Sequence, residues 1–157
     1  MDHKIISARS DDLEFVLNLN QINTPAVSDS SFEMMSYFLK VSEYFKILNV
    51  GEKPIGFLIA LMPGKDYKSE NYRWFNSKYN SFMYIDRVVI SGKYQRRGFG
   101  SELLYKVECE AKRDGLSSLS TEASLISYYV TDRHAGEVNF TAGFDRRNPL
   151  RYCLDYL

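Results

Sequence analysis

Cysteine is scarce in this chain: Cys109 and Cys153 are the only two among 157 residues. Two such thiols build no disulfide framework and no metal cluster. An excess of one charge is missing too. Lys and Arg number 20 and so do Asp and Glu, for a formal net charge of zero. A general polyanion binder would need a basic field, so nucleic acid is not an expected partner. Long apolar runs are also lacking. The longest lies around Phe57 to Met62, far short of the roughly 20 residues that cross a bilayer. The opening Met1-Asp2-His3-Lys4 has no apolar h-region of a secretory signal. There is no internal repeat, low-complexity tract or linker. These absences leave the expectation of one domain over residues 1–157, cytoplasmic and reduced, with no membrane or nucleic-acid partner and no metal.

What is present points to a packed core. Apolar residues make up 45% of the chain and charged ones 25%, which excludes a disordered composition. A domain of this length buries roughly two thirds or more of its unfolded surface. The 12 tyrosines and 10 phenylalanines are unusually many, so their placement matters.

Ile5 to Ala8 reads as a strand running into a helix, with Ser10 near the N-cap and Asp11 and Asp12 in the first turn. Leu13, Val16 and Leu17 supply the apolar stripe. Ser30 and Glu33 have capping-box spacing, and Phe32, Met35 and Leu39 make the buried stripe of a second helix. Phe45 to Val50 and Ile55 to Met62, separated by Gly51-Glu52-Lys53-Pro54, read as an antiparallel hairpin whose second strand is covered on both faces. Residues 63–80 show no period but carry Tyr67, Tyr72, Trp74, Phe75 and Tyr79. Those rings read either as a local core or as the wall of a binding site. Phe82 to Ile90 is a strong strand. Ser101 to Arg113 is helical, with Leu103, Leu104, Val107 and Ala111 inward and Glu102, Lys106, Glu108, Glu110 and Lys112 outward. Asp114-Gly115 caps its C-terminus. Leu116 to Leu125 is a weaker strand, Asp132 to Ala142 a short helix, and Leu150 to Tyr156 a last strand.

The order is therefore β-α-α-β-β-β-α-β-α-β. It describes an α/β (α+β) fold with a mixed, mainly antiparallel central sheet flanked by helices, and one helix crossing over to a parallel neighbour.

The segment that bears chemistry is the strand, then Gln95-Arg96-Arg97-Gly98-Phe99-Gly100, then the helix. Glycines there remove Cβ atoms where a ligand must meet backbone. The first amides of a helix are unpaired and lie at the positive end of its dipole, which suits a phosphate or pyrophosphate. Arg96 and Arg97 add charge-assisted contacts. The loop has neither the G-K-[ST] ending of a Walker loop nor the full dinucleotide fingerprint. By itself it also fits a glycine-rich helix start with two solvated arginines.

The same residues resemble the Q/R-x-x-G-x-G/A signature of the GNAT superfamily of acyl-CoA-dependent N-acyltransferases. Tyr84-Ile85-Asp86-Arg87-Val88-Val89-Ile90 resembles that fold's central fourth strand, Gly56-Phe57-Leu58 its third, and Gly143-Phe144 its late G-F pair. A bacterial branch of predicted acetyltransferases is similar in more detail. It shares Pro25-Ala26-Val27 and an aromatic loop like the one from Asp66 to Phe75. The resemblance implies acetyl-CoA as cosubstrate, held in a splay between the fourth and fifth strands. Val88, Val89 and Ile90 would lie along the pantetheine arm, with the Val88 amide polarising the thioester carbonyl. Gln95, Arg96, Arg97, Gly98, Phe99, Gly100 and Ser101 would cradle the pyrophosphate. Asn139 stands on the cofactor side where the family often has a tyrosine that protonates the departing thiolate; an amide cannot act as that acid.

Acylating an amine also requires a base, because a lysine-like amine is mostly protonated at pH 7. Tyr84, Asp86 and Val88 share one strand face by period two. Asp86 lies two residues before the polarising amide and is the first candidate base; its plain alternative is a structural ion pair. Glu122 is the second candidate, on the fifth strand, at the place of a glutamate in the similar branch; a solvated strand-edge carboxylate is its alternative. Tyr84 would orient substrate or donate a proton, unless it is a core tyrosine. Tyr72, Trp74 and Phe75 would wall the acceptor, since rings attract ammonium groups. His3 reads as tail-like and His134 as a surface helix residue, so no histidine-based site is expected.

Two functions follow. One is an N-acetyltransferase moving acetyl from acetyl-CoA to a primary amine, on a small molecule or peptide, by direct attack in a ternary complex. The other is a catalytically silent acyl-CoA-binding or sensing module on the same fold. A homodimer is compatible with the aromatic content.

Overall fold

The computed structural model describes residues 2–116, 118–122 and 151–155. The strands are β1 (His3–Ser7), β2 (Tyr44–Val50), β3 (Lys53–Leu61), β4 (Met83–Ile90), β5 (Ser118–Glu122) and β6 (Arg151–Asp155). The helices are α1 (Leu13–Ile22), α2 (Phe32–Val41), α3 (Glu70–Lys78) and α4 (Phe99–Arg113). The strands follow one another in chain order across one sheet. The pairs β1–β2, β2–β3 and β5–β6 are antiparallel and β4–β5 is parallel. This is the mixed, mainly antiparallel α/β architecture that the element order implied. The helix expected over residues 132–142 lies outside the described residues.

The chain forms two compact units, one of residues 1–60 with 87–104 and one of residues 61–86 with 105–157. In the first, Gly51, at a φ of 58°, makes the turn between β2 and β3. The run Ile55 to Leu61 is buried throughout, as its continuous apolarity predicts. Gly56 permits close backbone approach: a Cβ there would sit 2.8 Å from the Val89 carbonyl oxygen and 2.5 Å from Ile90 Cδ1. The Ser91 amide donates to the Ile55 carbonyl at 2.8 Å, fixing the end of β4 beside β3.

The helix starts in this unit differ from their sequence signals. A 3₁₀ turn, Ser10–Asp12, precedes α1. Asp12, and not Ser10, supplies a side-chain oxygen there, accepting the Arg9 amide at 2.8 Å. At α2 the cap is Ser31, whose hydroxyl accepts the Met34 amide at 3.1 Å, so the Ser30–Glu33 capping box does not form. The buried face of α2 is Met35 and Phe38, while Phe32 is exposed in its first turn and Leu39 is half-buried.

In the second unit, residues 70–78 form a helix, α3, within the stretch 63–80 that shows no helical period in sequence. Ser69 caps it by accepting the Tyr72 amide at 3.3 Å. Glu70 in the first turn and Lys78 in the last match the helix dipole. Tyr72 and Phe75, three residues apart, form its buried stripe. Farther on, the C-terminus of α4 closes as a Schellman motif. The Leu116 amide donates to Ala111 at 3.0 Å and the Gly115 amide to Lys112 at 3.1 Å. Gly115 takes a φ of 80°, where a side chain would be strained. Leu103, Leu104, Val107 and Ala111 are buried as expected. Glu108 is the exception on the outward face. It is only 3% exposed, and its carboxylate meets Lys112 Nζ one turn on at 2.8 Å.

Candidate active site

The loop between β4 and α4 is built by backbone conformation. A short 3₁₀ turn, Gly92–Tyr94, follows β4. Arg96 then adopts a φ of 57° and Gly98 one of 86°. A left-handed arginine is uncommon, and such outliers concentrate where backbone amides face a ligand. No atom lies within 4 Å of a Cβ placed on Gly98, so the space in front of it is open. α4 begins at Phe99, two residues earlier than its sequence pattern suggested. The first i→i−4 bond runs from Glu102 to the Gly98 carbonyl at 3.0 Å. The amides of Phe99, Gly100 and Ser101 precede it and form the positive end of the helix.

The side chains of the loop divide between structure and solvent. Gln95 Nε2 donates to the Ile90 carbonyl at 2.8 Å, tying the loop to the end of β4. The Arg97 guanidinium carbon lies 5.7 Å from the Tyr94 ring centre and 5.9 Å from that of Phe99. Stacked there, it stays exposed beside the open backbone. Arg96 is exposed, Ser101 is buried, and Phe99 is buried in the first turn of α4. His3 is not a tail residue. It sits in β1 with its ring edge-on to Phe99 at 5.6 Å, and its Nε2 pairs with the Glu102 carboxylate. An open left-handed glycine, a row of amides and two exposed guanidinium groups together fit a pyrophosphate.

Val88, Val89 and Ile90 run along β4 immediately before this loop, with Val88 half-buried and the other two buried. Arg87, on the alternate face, is 6% exposed. Its Nη1 donates to Asn20 Oδ1 at 2.9 Å and to the Ser28 carbonyl at 3.3 Å, and its guanidinium lies 5.3 Å from the Phe38 ring centre. It joins the end of α1, the following loop and α2 to the central strand. Nothing in the sequence marked this role beyond a lone cation within an apolar strand.

The other candidates belong to the second unit. Asp86 is half-buried, and its Oδ1 accepts the Tyr67 hydroxyl at 2.6 Å. Tyr84 is 1% exposed, with its ring 5.4 Å from Tyr72 and 5.8 Å from Phe75. Tyr72 and Phe75 are buried as well, each about 6 Å from Phe82. Trp74 alone of the three acceptor-wall candidates is half-buried, edge-on to Phe75 at 5.0 Å. The rings of the aromatic segment therefore do pack as a local core, with Trp74 at its margin. Tyr67 is the residue that sequence reasoning passed over: it was counted among the rings, but nothing in its spacing pointed to Asp86.

Glu122 is the last residue of β5. The parallel register pairs Met83 with Leu119 and Tyr84 with Ser120. Asp86 and Glu122 are thus each two residues beyond a paired position. The side chain of Glu122 and the whole of Asn139 lie outside the described residues.

A test of the loop follows from its conformation. Gly98→Val forces a β-branched residue into left-handed backbone, costing roughly 1–2 kcal/mol, and fills the open space in front of the amides. Acetyl-CoA affinity should fall at least tenfold, about 1.4 kcal/mol. Calorimetric titration well below the melting point checks it; unchanged affinity in the folded variant would remove the loop from the phosphate site.

The comparisons with known proteins agree with this geometry. No curated protein sequence matches the chain. Among solved structures, Ard1 from Thermoplasma volcanium superposes with a TM-score of 0.70 at 14% identity, covering 98% of this chain and 96% of that one. An N-acetyltransferase from Staphylococcus aureus Mu50 gives 0.63 at 15% identity, covering 99% and 97%. Arabidopsis thaliana Naa50, solved with the bisubstrate analogue CoA-Ac-MVNAL, gives 0.68 at 13% identity, covering 100% and 99%. At such identities the likeness establishes the fold. The model of the acetyltransferase (GNAT) family matches residues 13–132, well over half of the sequence. The chain thus belongs to the acetyltransferase (GNAT) family, and family and fold together support acyl-CoA-dependent acetyl transfer.

Proposed function

We propose that this protein is an N-acetyltransferase that moves the acetyl group of acetyl-CoA to a primary amine by direct attack in a ternary complex. The observation that carries the reading is the β4–α4 loop, where Gly98 stands open at a φ of 86° ahead of the first amides of α4. In this reading those amides, with Arg96 and Arg97, hold the pyrophosphate. Val88, Val89 and Ile90 align the pantetheine arm, and the Val88 amide polarises the thioester carbonyl. Asp86, two residues earlier on β4, takes the proton from the attacking amine. Trp74, at the margin of the aromatic core, contacts the acceptor. Small-molecule amines and peptide N-termini both fit this chemistry, and the peptide portion of the analogue bound to Naa50 favours including peptides.

Free-thiol release from acetyl-CoA should be followed with spermidine, tyramine and the pentapeptide Met-Val-Asn-Ala-Leu as acceptors. Release matched one-to-one by acetylated product is expected with at least one of them. The second reading, a silent acyl-CoA-binding module, is favoured by Asn139 in the usual tyrosine position. It predicts calorimetric binding of acetyl-CoA with no thiol release from any acceptor.

A further inference from the structure

A loop suited to an anion is followed, within one helical turn, by an acid. Glu102 is the fourth residue of α4, directly after the amides that the reading above gives to the pyrophosphate. On a helix the Cα–Cβ bond tilts toward the N-terminus, so a side chain lies over the turn that precedes it. A carboxylate at this position leans back toward the amides of Phe99, Gly100 and Ser101, and the positive end of the helix attracts it. It carries the same sign of charge as a pyrophosphate and competes for the same field. In the structure it is engaged elsewhere. His3, on the edge strand β1, pairs through Nε2 with the Glu102 carboxylate, and both residues are half-buried. The imidazole is presented by the sheet and not by a loose terminus. His3 is in register with Val50 of β2, and the Gly51 amide donates to the Asp2 carbonyl at 3.2 Å. The ring is braced on a second side by Phe99, edge-on at 5.6 Å.

We propose that His3 is a positioning residue for cofactor binding: it draws the Glu102 carboxylate off the N-terminus of α4 and leaves that field to the pyrophosphate of acetyl-CoA. The inference rests on the acetyl-CoA reading of the β4–α4 loop and names a residue of β1, far from that loop in sequence, on which the loop depends. His3 acts through Glu102. Released from the imidazole, the carboxylate turns to the helix end toward which its Cα–Cβ bond already tilts. There it satisfies amides that the cofactor needs and repels the incoming diphosphate. An acid at a helix N-terminus shifts an equilibrium roughly two- to fivefold, and repulsion of the diphosphate adds to that. The stack of Arg97 on Phe99, 5.9 Å from guanidinium carbon to ring centre, is a separate contribution of the same corner. It does not require the His3 nitrogen, only a ring beside Phe99.

The test is calorimetric titration with acetyl-CoA of the parent, His3→Phe, Glu102→Gln and the double variant, with thermal unfolding alongside. His3→Phe keeps an aromatic ring for Phe99 and removes the nitrogen that holds Glu102. It should bind acetyl-CoA roughly three- to tenfold more weakly than the parent at about 50 mM salt. The gap should narrow at about 0.5 M salt, where charges are screened over a few ångströms. Glu102→Gln removes the competing charge, so it should bind within about twofold of the parent, and so should the double variant. A merely structural His3 predicts a loss that the second substitution does not repair and that salt does not change. Parent-like or tighter binding by His3→Phe, or a loss that persists in the double variant or at high salt, overturns the inference and leaves the phosphate site standing. A parent protein that does not bind acetyl-CoA overturns both. Should His3→Phe fail to fold, His3→Leu, which also lacks the nitrogen, must show the same loss and the same rescue by Glu102→Gln; a loss without rescue refutes the proposal.

Discussion

Asp86→Asn should lower turnover by roughly 10²–10⁴ at pH 7, the usual range for lost general-base catalysis, with acetyl-CoA affinity preserved. The substitution keeps the shape of the side chain and removes the site that takes up a proton. The amide oxygen still accepts the Tyr67 hydroxyl that now lies 2.6 Å from Oδ1, so the loop should remain in place. The deficit should shrink at high pH, where the amine acceptor loses its proton to water. A structural carboxylate predicts the opposite pattern, reduced stability with turnover per folded molecule intact. A pH–rate series on both proteins, with unfolding curves, separates the two. Near-normal turnover at pH 7 would pass the role of base to Glu122 or to a water chain.

The frame of this site was legible because it is written in short-range patterns. The apolar runs of β2, β3 and β4 and the stripe of Leu103, Leu104, Val107 and Ala111 read directly as buried elements. Gly98 and Gly115 were recognisable because left-handed backbone favours one residue type. Signals that offer neighbouring equivalents were less decisive. Ser30 and Ser31 both carry a capping hydroxyl, and Ser31 is the one that caps α2, with Phe32 exposed and Phe38 buried. α3 was missed because Asn71, Arg73, Asn76 and Ser77 interrupt its aromatic positions, although Ser69 and the Tyr72–Phe75 spacing were a helix start and a stripe. The Glu108–Lys112 pair has helical i,i+4 spacing, yet the burial of Glu108 is decided by its neighbours in space. No period carries the Tyr67–Asp86 bond or the Arg87–Asn20 bond, 67 residues apart in sequence. The first depends on a loop whose path is set by other contacts, the second on where α1 lies against β4.

The aromatic segment provides the second large effect, and here two neighbouring residues should behave differently. Phe75 is fully buried, with Phe82 at 6.3 Å, Tyr84 at 5.8 Å and Tyr79 at 6.3 Å between ring centres. Phe75→Ala removes the ring and leaves a cavity that Tyr72 and Tyr84 cannot fill without losing their own contacts. The expected cost is about 3–5 kcal/mol, a fall in melting temperature on the order of 10 °C for a chain of this length. Trp74 is only half-buried beside it. If its ring meets the acceptor, Trp74→Ala should raise the acceptor KM several-fold while acetyl-CoA affinity stays close to that of the parent. Its melting temperature should then fall much less than that of Phe75→Ala. A Trp74→Ala protein that melts as early as Phe75→Ala, yet has normal kinetics at low temperature, would make Trp74 a core residue like its neighbours. The acceptor would then have to be recognised by residues other than these rings.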